Sequence, residues 1–395
     1  MSDEADHGND AEQAPANRVV IAPDKFKGSA SAAEVARSLA HGIRAAAPDV
    51  PVSVVPVADG GGGTVDAAVA SGYTRVWVEV AGPLGNRVRA AFALDGERAV
   101  VELAQASGLE LLPEGRLDPL GAGTRGTGEV IRAALDAGAR TIVLGLGGSS
   151  STDGGTGMLR ALGAAFLDAA GRPLPEGGGA LPGLARADLA GLDPRLAATE
   201  IVLASDVDNP LLGPDGAAAV YGPQKGAAAA DVALLDGGLR RLVDALAEAM
   251  GPAAAEAALA PGSGAAGGTG YAALAALGAT RRSGIDVLLH ALEFERRLGG
   301  ARLVVTGEGS LDEQTLRGKA PTGVARAARR RGVPVAAVCG RLALTPDQWH
   351  AAGFEAVYAL TDIEHDVERC MKDPGPLLEQ LGERLGRDLL ASGRS

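Results

Sequence analysis

The sequence predicts an α/β protein in which a doubly wound parallel-sheet domain is interrupted by a mixed α/β domain. Three observations indicate this class. Short apolar runs alternate with amphipathic helical patterns both at the start and in the last third of the chain, which is typical of parallel sheets. A segment between them alternates apolar and polar residues with period two, which favours antiparallel strands. At 395 residues, the chain is long enough for two domains.

The first elements follow in chain order. RVVIAP, starting at Arg18, is a β-branched run bounded by proline and predicts a buried strand. Ser31 and Glu34 form a capping-box pattern, which opens the helix SAAEVARSLAHGIRAAA. VPVSVVPV predicts a second strand, and a helix over TVDAAVAS follows its glycine-rich turn. Residues 1–17 carry five carboxylates and no Lys or Arg, and we expect them to form a disordered tail.

The pattern changes near residue 75. Residues 74–104 predict antiparallel strands with turns at Gly82–Asn86 and Asp95–Gly96. Later segments predict the helix GEVIRAALDAGA, the strands TIVLGLGG and IVLASDV, and helices after Thr152, in 226–260 and in GYAALAALGA. From ARLVVTGEG the parallel alternation returns, with a helix over PTGVARAARRRG and strands over PVAAVCG and FEAVYALTD. We therefore predict one discontinuous domain, 18–75 with 285–395, and an inserted domain, 76–284.

Composition limits the function classes. The net charge is −12 and the pI is near 5.0, which argues against a nucleic-acid partner and against anionic membranes. Two cysteines cannot form a disulfide framework or, alone, a structural zinc site. There is no apolar run of the length that a membrane span requires and no signal-peptide pattern, so we expect a cytoplasmic protein with small-molecule partners, monomeric or homodimeric.

Five glycine-rich or acidic turns follow predicted strands. Because ligands of parallel α/β sheets bind outside the carboxyl ends of the strands, these turns are candidates for one shared site. Glycines allow backbone N–H groups to approach phosphate, helix N-termini favour anions, and carboxylates hold Mg²⁺. The turns are PDKFKGS (23–29), ADGGGGT (58–64), GGSSSTDGGTG (147–157), SDVDNP (205–210) and TGEGSLDEQTLRGK (306–319).

Lysines strengthen this hypothesis. Only five occur among 37 cationic residues, and Lys27, Lys225 and Lys319 are adjacent to glycine. Lys25 lies in the same turn as Lys27. A flexible ammonium is a suitable partner for a phosphate that moves during reaction. We therefore predict that Lys25 and Lys319 contact phosphate or carboxylate, and we hold Lys27 and Lys225 as further candidates.

Other patterns carry less weight. GAGTRG (121–126) and GSGAAG (262–267) match G-x-G-x-x-G, but neither follows a good strand in a βαβ unit. RGKA (317–320) lacks the Ser or Thr of a Walker A loop. The five histidines are scattered, which disfavours a metal cluster or a Ser–His–Asp triad. Cys339 ends a predicted strand and is expected to be buried.

Taken in order, seven blocks of the sequence resemble the bacterial glycerate kinases of the glycerate/glyoxylate pathway. They cover roughly residues 18 to 380. The blocks are PDKFKGSASAAEVA, VADGGGGTVDA, DPLGAGTRGTGEVIRAALDAG, GLGGSSSTDGGTGMLRALG, ASDVDNPLLGPDGAAAVYGPQKGA, PGSGAAGGTGYAALAALGA and TGEGSLDEQTLRGKAPTGVA.

The resemblance implies two α/β domains with the active site in the cleft between them, and transfer of the ATP γ-phosphoryl group to D-glycerate with Mg²⁺. We favour 2-phosphoglycerate as product over 3-phosphoglycerate. As catalytic candidates we take Asp24, Lys25, Asp59, Asp153, Asp312 and Lys319. As Mg²⁺ ligands we take Asp206 and Asp208. Substrate or phosphate contacts are expected from Lys27, Gly60, Gly61, Ser149, Ser150, Gly154, Lys225, Gly307, Glu308 and Gly309.

The chain departs from the family pattern at Gly62, where the family usually has glutamate, and at Thr152, where it often has asparagine. Two alternatives stay open at this point. One is a kinase for another small hydroxy acid, and the other is a non-catalytic sugar-acid-binding protein of the same fold. A dehydrogenase is a weaker third hypothesis, because both G-x-G-x-x-G matches have poor context.

Overall fold

A computed structural model describes residues 17–390, so the predicted tail lies outside the described residues except for Asn17. The described part contains thirteen strands and fifteen α-helices. The strands are β1 (Arg18–Pro23), β2 (Val52–Val54), β3 (Thr74–Ala81), β4 (Arg87–Asp95), β5 (Arg98–Glu102), β6 (Thr141–Gly145), β7 (Ala165–Leu167), β8 (Arg186–Asp188), β9 (Glu200–Ala204), β10 (Thr280–Arg282), β11 (Ala301–Leu311), β12 (Val335–Leu342) and β13 (Ala356–Ala359).

The helices range from one turn to 22 residues. They are α1 (Ala32–Ala46), α2 (Thr64–Ala70), α3 (Ala104–Ser107), α4 (Arg125–Asp136), α5 (Thr156–Ala161), α6 (Ala217–Tyr221), α7 (Ala229–Met250), α8 (Ala253–Ala257), α9 (Ala265–Ala276), α10 (Gly284–Ala291), α11 (Glu313–Leu316), α12 (Ala320–Arg330), α13 (Pro346–Ala351), α14 (Val367–Lys372) and α15 (Pro374–Leu385). Within residues 17–390, no helix is long and apolar enough to cross a membrane.

The first sheet combines the two ends of the described chain. Its order is β13-β12-β11-β1-β2, and all pairs are parallel. The six residues of β1 are all buried, as the apolar run predicts. Its register with β11 begins at Arg18 opposite Ala301 and ends at Pro23 opposite Gly307. The parallel, interrupted sheet predicted from the sequence is confirmed.

The second sheet is built from the middle of the chain, in the order β10-β9-β6-β5-β4-β3. β5, β6, β9 and β10 run parallel, whereas β3 and β4 add an antiparallel edge. The period-two segment thus forms the predicted antiparallel strands. The mixed α/β fold is therefore as predicted, while the domain boundaries at 75/76 and 284/285 stay a prediction.

Five layers of secondary structure stack on one another. The outer face of the first sheet packs against α1 and α15. Helices α2, α10 and α12 occupy the middle layer, where one apolar cluster contacts both sheets. The outer face of the second sheet packs against α4, α5, α7 and α9. The two sheets therefore share a core, built mainly from Ala, Val, Leu and Ile.

Local details confirm some predictions and correct others. Ser31 and Glu34 form both bonds of the capping box at α1. The second strand is shorter than predicted, because only Val52–Val54 pairs with β1. Helix α9 begins within the segment GSGAAG and includes left-handed residues, among them Ala266 at φ 52°. Cys339 is fully buried, as expected.

Candidate active site

Strand ends bring the five predicted turns together, and the turn after β6 joins the others where Gly147 N donates to Gly60 O at 3.3 Å. The backbone N–H of Asp24, which follows β1, donates to the carbonyl of Gly307 in β11 at 2.8 Å. The turn after β2 joins them, because Lys25 Nζ donates to Gly62 O at 2.6 Å. The end of β9, which leads into the turn at 205–210, packs against the same glycine run, because an added Cβ on Gly60 would lie 2.5 Å from Ala204 O. These contacts connect the carboxyl ends of both sheets.

Lys25 and Lys27 differ in placement although they share a turn. Lys25 is half-buried and its ammonium faces the turn after β2. Lys27 is exposed. A shallow, open depression of about 280 Å³ lies beside this turn and is lined by Lys25, Phe26, Gly28, Ser29, Ala30, Ser31 and Glu34. Lys25 is thus the better placed of the two to meet a ligand held between the sheets.

Asp24 is nearly buried beside other carboxylates. Its side chain accepts a bond from Lys25 N at 2.7 Å. Burial, and then the negative charge of Asp59, raise the pKa of Asp24 to about 8. The carboxyl of Asp24 therefore carries a proton at neutral pH when no ligand is bound. Asp59 is half-buried and accepts from Gly61 N at 3.2 Å.

Asp24→Asn should make the free energy of unfolding less dependent on pH. In the unfolded chain an aspartate loses its proton near pH 4, whereas folded Asp24 keeps its proton to about pH 8. The contribution of Asp24 to the free energy of unfolding therefore falls as the pH rises through that window. The free energy of unfolding of Asp24→Asn, relative to that of the original protein, should therefore increase by roughly 2–3 kcal/mol between pH 6 and pH 9. Urea unfolding without Mg²⁺ or nucleotide measures it, with exposed Asp347→Asn as control. A constant difference would contradict the prediction.

Glu308 and Lys319 come from β11 and the segment that follows it, because the strand continues to Leu311 through the first part of the predicted turn. Lys319 is the residue before α12, and its Nζ lies 3.5 Å from Glu308 Oε2. Thr315 Oγ1 donates to Glu308 Oε1 at 2.5 Å, and burial raises the pKa of Glu308. Asp312 caps α11 by accepting from Gln314 N, which gives it a structural task beside its predicted catalytic one.

Two predicted glycines near the end of β11 permit close packing. A Cβ on Gly307 would lie 2.1 Å from Val338 O in the neighbouring strand β12. A Cβ on Gly309 would lie 3.5 Å from Lys27 N, so this backbone borders the first turn. Their predicted phosphate contacts stay predictions.

The glycine run after β2 crosses the ends of the second sheet. Gly60 has φ +88° and its carbonyl accepts from Gly147 N at 3.3 Å. A Cβ on Gly147 would lie 2.5 Å from Gly61 Cα. Close backbone approach therefore explains why glycine occupies positions 60 and 147.

Gly62→Glu should fold and keep measurable activity. Gly62 does not have a positive φ, and its added Cβ would meet only the flexible Lys25 Nζ, at 2.9 Å, and Glu102 Oε1, at 3.5 Å. We expect a melting temperature within a few degrees of the original protein in thermal unfolding. Gly60→Glu is the matched control, which should fail to fold because its Cβ would clash with Ala204 O. An insoluble Gly62→Glu would contradict this account of the turn.

Asp153, in the turn after β6, is fully buried and its oxygens are occupied. It accepts from Thr124 N (3.0 Å), Thr124 Oγ1 (2.7 Å), Gly155 N (3.1 Å) and Gly157 N (3.1 Å). Burial raises the pKa of Asp153, and these hydrogen bonds oppose that rise. This geometry favours a structural role for Asp153 over the predicted contact with an acceptor hydroxyl.

The other predicted residues of this turn also contact protein groups. Ser150 is buried and its Oγ donates to Ser107 O at 2.9 Å. Gly154 has φ +64°, and a Cβ there would lie 2.4 Å from Leu242 Cδ2 of α7. Ser149 is half-buried, and its Oγ accepts from Lys225 Nζ at 2.8 Å.

Lys225 is 2% exposed, which no sequence pattern predicted. Its ammonium also donates to Ser151 O, at 2.5 Å. Burial lowers the pKa of Lys225 to about 7. Lys225 thus holds the turn after β6, and its predicted contact with phosphate stays a prediction.

The two predicted Mg²⁺ ligands lie in different surroundings. Asp206 is exposed and accepts from Gly284 N at 3.2 Å, beside the turn that carries Asp59. Asp208 forms an ion pair with Arg281 at 2.6 Å, which weakens the case for it as a metal ligand. Among residues 17–390, no group of three or more His, Cys, Asp or Glu side chains is arranged to hold a metal ion.

Glu102 is the main residue of this site that sequence reasoning missed. It ends β5 and is 3% exposed. Its carboxylate accepts from Gly63 N and Val65 N and lies near Lys25. The signal that could have revealed it is a carboxylate at the end of the apolar run RAVVE.

Comparisons with known proteins agree along nearly the whole chain. The glycerate kinase family matches residues 19–390. A glycerate kinase of Bacillus subtilis (strain 168) is 43% identical over 378 residues, which are 95% of this chain and 97% of the relative. A glycerate 2-kinase of Escherichia coli (strain K12) is 45% identical over 352 residues, 88% and 91% of the two chains.

A solved structure extends the similarity to three dimensions. A crystal structure from Salmonella typhimurium LT2 that carries the name glycerate kinase 2 superposes with a TM-score of 0.82 at 42% identity. The match covers 95% of this chain and 99% of the Salmonella chain.

Proposed function

Because the chain belongs to the glycerate kinase family and is thus a phosphotransferase that acts on an alcohol group, we propose that it transfers the γ-phosphoryl group of ATP to the 2-hydroxyl of D-glycerate. The products are 2-phosphoglycerate and ADP. Relatives named glycerate kinase and glycerate 2-kinase support the acceptor and its reacting hydroxyl.

The observation that carries the proposal is the grouping of two ammonium groups with several carboxyl groups at the carboxyl ends of the strands. Lys25 faces the turn after β2, and Lys319 begins α12 beside Glu308. Phosphoryl transfer depends mainly on positioning and on neutralisation of the developing charge. Lys319 and the N-terminus of α12 favour a phosphoryl group, and Lys25 favours the carboxylate of glycerate.

Mg²⁺ fits this site as a partner of ATP. Asp206 and Asp59 both lie beside Gly284, because the Asp206 carboxylate accepts from Gly284 N and a Cβ on Gly284 would clash with the backbone carbonyl of Asp59. Mg²⁺ is commonly bound by one or two carboxylates together with substrate phosphates. When bound, the ion would neutralise phosphate charge.

Asp24 and Asp59 are the carboxyl groups best placed to orient the acceptor hydroxyl. Both lie in turns that follow strands of the first sheet, and both are close to Lys25 in the chain or in space. A protonated Asp24 can donate a hydrogen bond to substrate, whereas an ionised carboxylate accepts the hydroxyl proton. Both interactions are stronger where protein groups exclude water around the two carboxyl groups, because the local dielectric constant is lower there.

Steady-state ADP release with D-glycerate, ATP and Mg²⁺ tests the function. We expect turnover with D-glycerate to exceed turnover with tartronate or a deoxy-aldonate by at least tenfold in kcat/KM. Binding of D-glycerate without ADP release would instead indicate a non-catalytic binding protein. Phosphorus and proton NMR of the product then locates the phosphate on the 2- or the 3-oxygen.

A further inference from the structure

Glu102 is a buried carboxylate that the proposed chemistry does not use. It is the last residue of β5, and the side chain points into the turn between β2 and α2. Its Oε1 accepts from Gly63 N at 3.2 Å, and its Oε2 accepts from Gly63 N at 3.1 Å and from Val65 N at 3.2 Å. Burying a carboxylate is costly unless hydrogen bonds compensate for the lost water. Here two backbone N–H groups provide that compensation.

These bonds determine where the Gly62 carbonyl points. Gly63 and Val65 flank the start of α2, and Thr64 Oγ1 closes the same turn by donating to Gly61 O at 2.6 Å. Gly62 lies inside this short loop, and its carbonyl accepts from Lys25 Nζ. The position of the Lys25 ammonium therefore depends on a turn that Glu102 holds from the other side.

Glu102 also acts on Lys25 through charge. A Cβ added at Gly62 would lie 2.9 Å from Lys25 Nζ and 3.5 Å from Glu102 Oε1, so the two charged atoms are within about 6.4 Å of each other. Opposite charges at such a separation attract appreciably in a partly buried site.

We propose that Glu102 is a positioning residue that acts through Lys25. Its carboxylate fixes the 61–65 turn, and the Gly62 carbonyl then holds the Lys25 ammonium toward the anionic group of the acceptor. That Lys25 binds the acceptor rests on the proposed function, whereas the link between Glu102 and Lys25 does not. Glu102→Gln should therefore free the Lys25 ammonium without unfolding the protein.

Amine labelling measures this link without any activity. The chain has only five lysines, so trinitrobenzenesulfonate labelling can be followed at each one by mass spectrometry. Glu102→Gln should raise the labelling rate of Lys25 by roughly fivefold, the factor that one lost hydrogen bond typically represents. Exposed Lys372 should label at an unchanged rate, and buried Lys225 should stay protected, which reports that the fold is intact. An unchanged rate at Lys25 would overturn the proposal.

A double-mutant cycle measures the same link during turnover. Glu102→Gln should lower kcat with D-glycerate by roughly tenfold, but by less than twofold when Lys25 is already methionine. Exposed Glu97→Gln, in the turn before β5, is the matched control and should change neither kcat nor labelling. If Glu102→Gln instead lowers kcat by the same factor with and without Lys25→Met, then Glu102 acts only on stability, and coupling through Lys25 is refuted.

A failure of the proposed function can be distinguished from a failure of the proposed role of Glu102. If the unaltered protein releases no ADP with D-glycerate, the proposed function fails, and the labelling experiment still decides the role of Glu102. If Glu102→Gln does not yield folded protein, Glu102→Asp is labelled instead. Aspartate keeps the charge, but its shorter side chain no longer reaches Gly63 N. We expect the same rise in the labelling rate of Lys25.

Discussion

Lys319→Met should lower kcat for glycerate phosphorylation by about a hundredfold while the protein remains folded. A charge aimed at developing phosphoryl charge in a water-poor site is typically worth about 3 kcal/mol, which corresponds to this factor. Methionine keeps the apolar stem and approximate volume of the side chain. Lys319 is about one third exposed, so little packing is lost.

The kinetic constants distinguish two roles for Lys319. If the ammonium acts mainly on the transition state, kcat should fall and KM for D-glycerate should change little. If it holds the substrate carboxylate equally in both states, KM should rise with kcat preserved. Exposed Lys372→Met is the matched control and should match the unaltered protein. Constants within twofold for Lys319→Met would remove Lys319 from the site.

The loss of the Lys319 ammonium also affects Glu308. The Lys319 ammonium lies 3.5 Å from the Glu308 carboxylate, which also accepts a hydrogen bond from the Thr315 hydroxyl. Because burial already raises the pKa of Glu308, removal of the cation should favour its protonated form further. Any loss of rate should therefore be remeasured as the pH is raised, because an effect through Glu308 would shrink and a direct effect would not.

Asp153→Asn should destabilise the protein by at least about 3 kcal/mol, since buried donors lose acceptors when an amide replaces a carboxylate. The side-chain amide would face Thr124 N, Gly155 N or Gly157 N, all of which donate to Asp153. Urea unfolding at pH 7 measures the loss, and exposed Asp347→Asn serves as the control with an expected change below about 0.5 kcal/mol.

The same variant separates structure from catalysis at Asp153. A protein that unfolds at the normal urea concentration but has lost turnover would show that Asp153 contacts the substrate. A destabilised protein whose remaining folded fraction is active would assign Asp153 to the turn after β6. The full burial of its carboxylate favours the second result.

Much of the site could be predicted because strand ends and residue types are local properties. Asp24, Lys25 and Lys319 each follow a recognisable strand or begin a recognisable helix, and the structure brings their turns to one region. Burial could not be predicted in this way. Asp59 and Asp153 are both aspartates in strand-end turns, but Asp59 is half-buried whereas Asp153 is fully enclosed and bonded to Thr124, 29 residues earlier in the chain.

Long-range partners explain the other differences. Lys225 is adjacent to glycine like Lys27, but its ammonium is buried against Ser149 and Ser151, about 75 residues away. Glu102 has no motif around it, and its role appears only when β5 is placed beside the turn after β2. The middle layer of helices was likewise unpredictable, because it depends on how the two sheets stack.

The pairing of β1 with β11 has a consequence for biosynthesis. The second sheet has all its strands once residue 282 has been made. In the first sheet, β1 can pair early with β2 on one edge, but its other edge must await β11, about 280 residues further along the chain. At translation rates of roughly 5–20 residues per second, β1 waits for some 15–60 seconds. During that time, the apolar strand RVVIAP is available to chaperones on the ribosome, and the inserted segment can fold before the ends of the chain that enclose it.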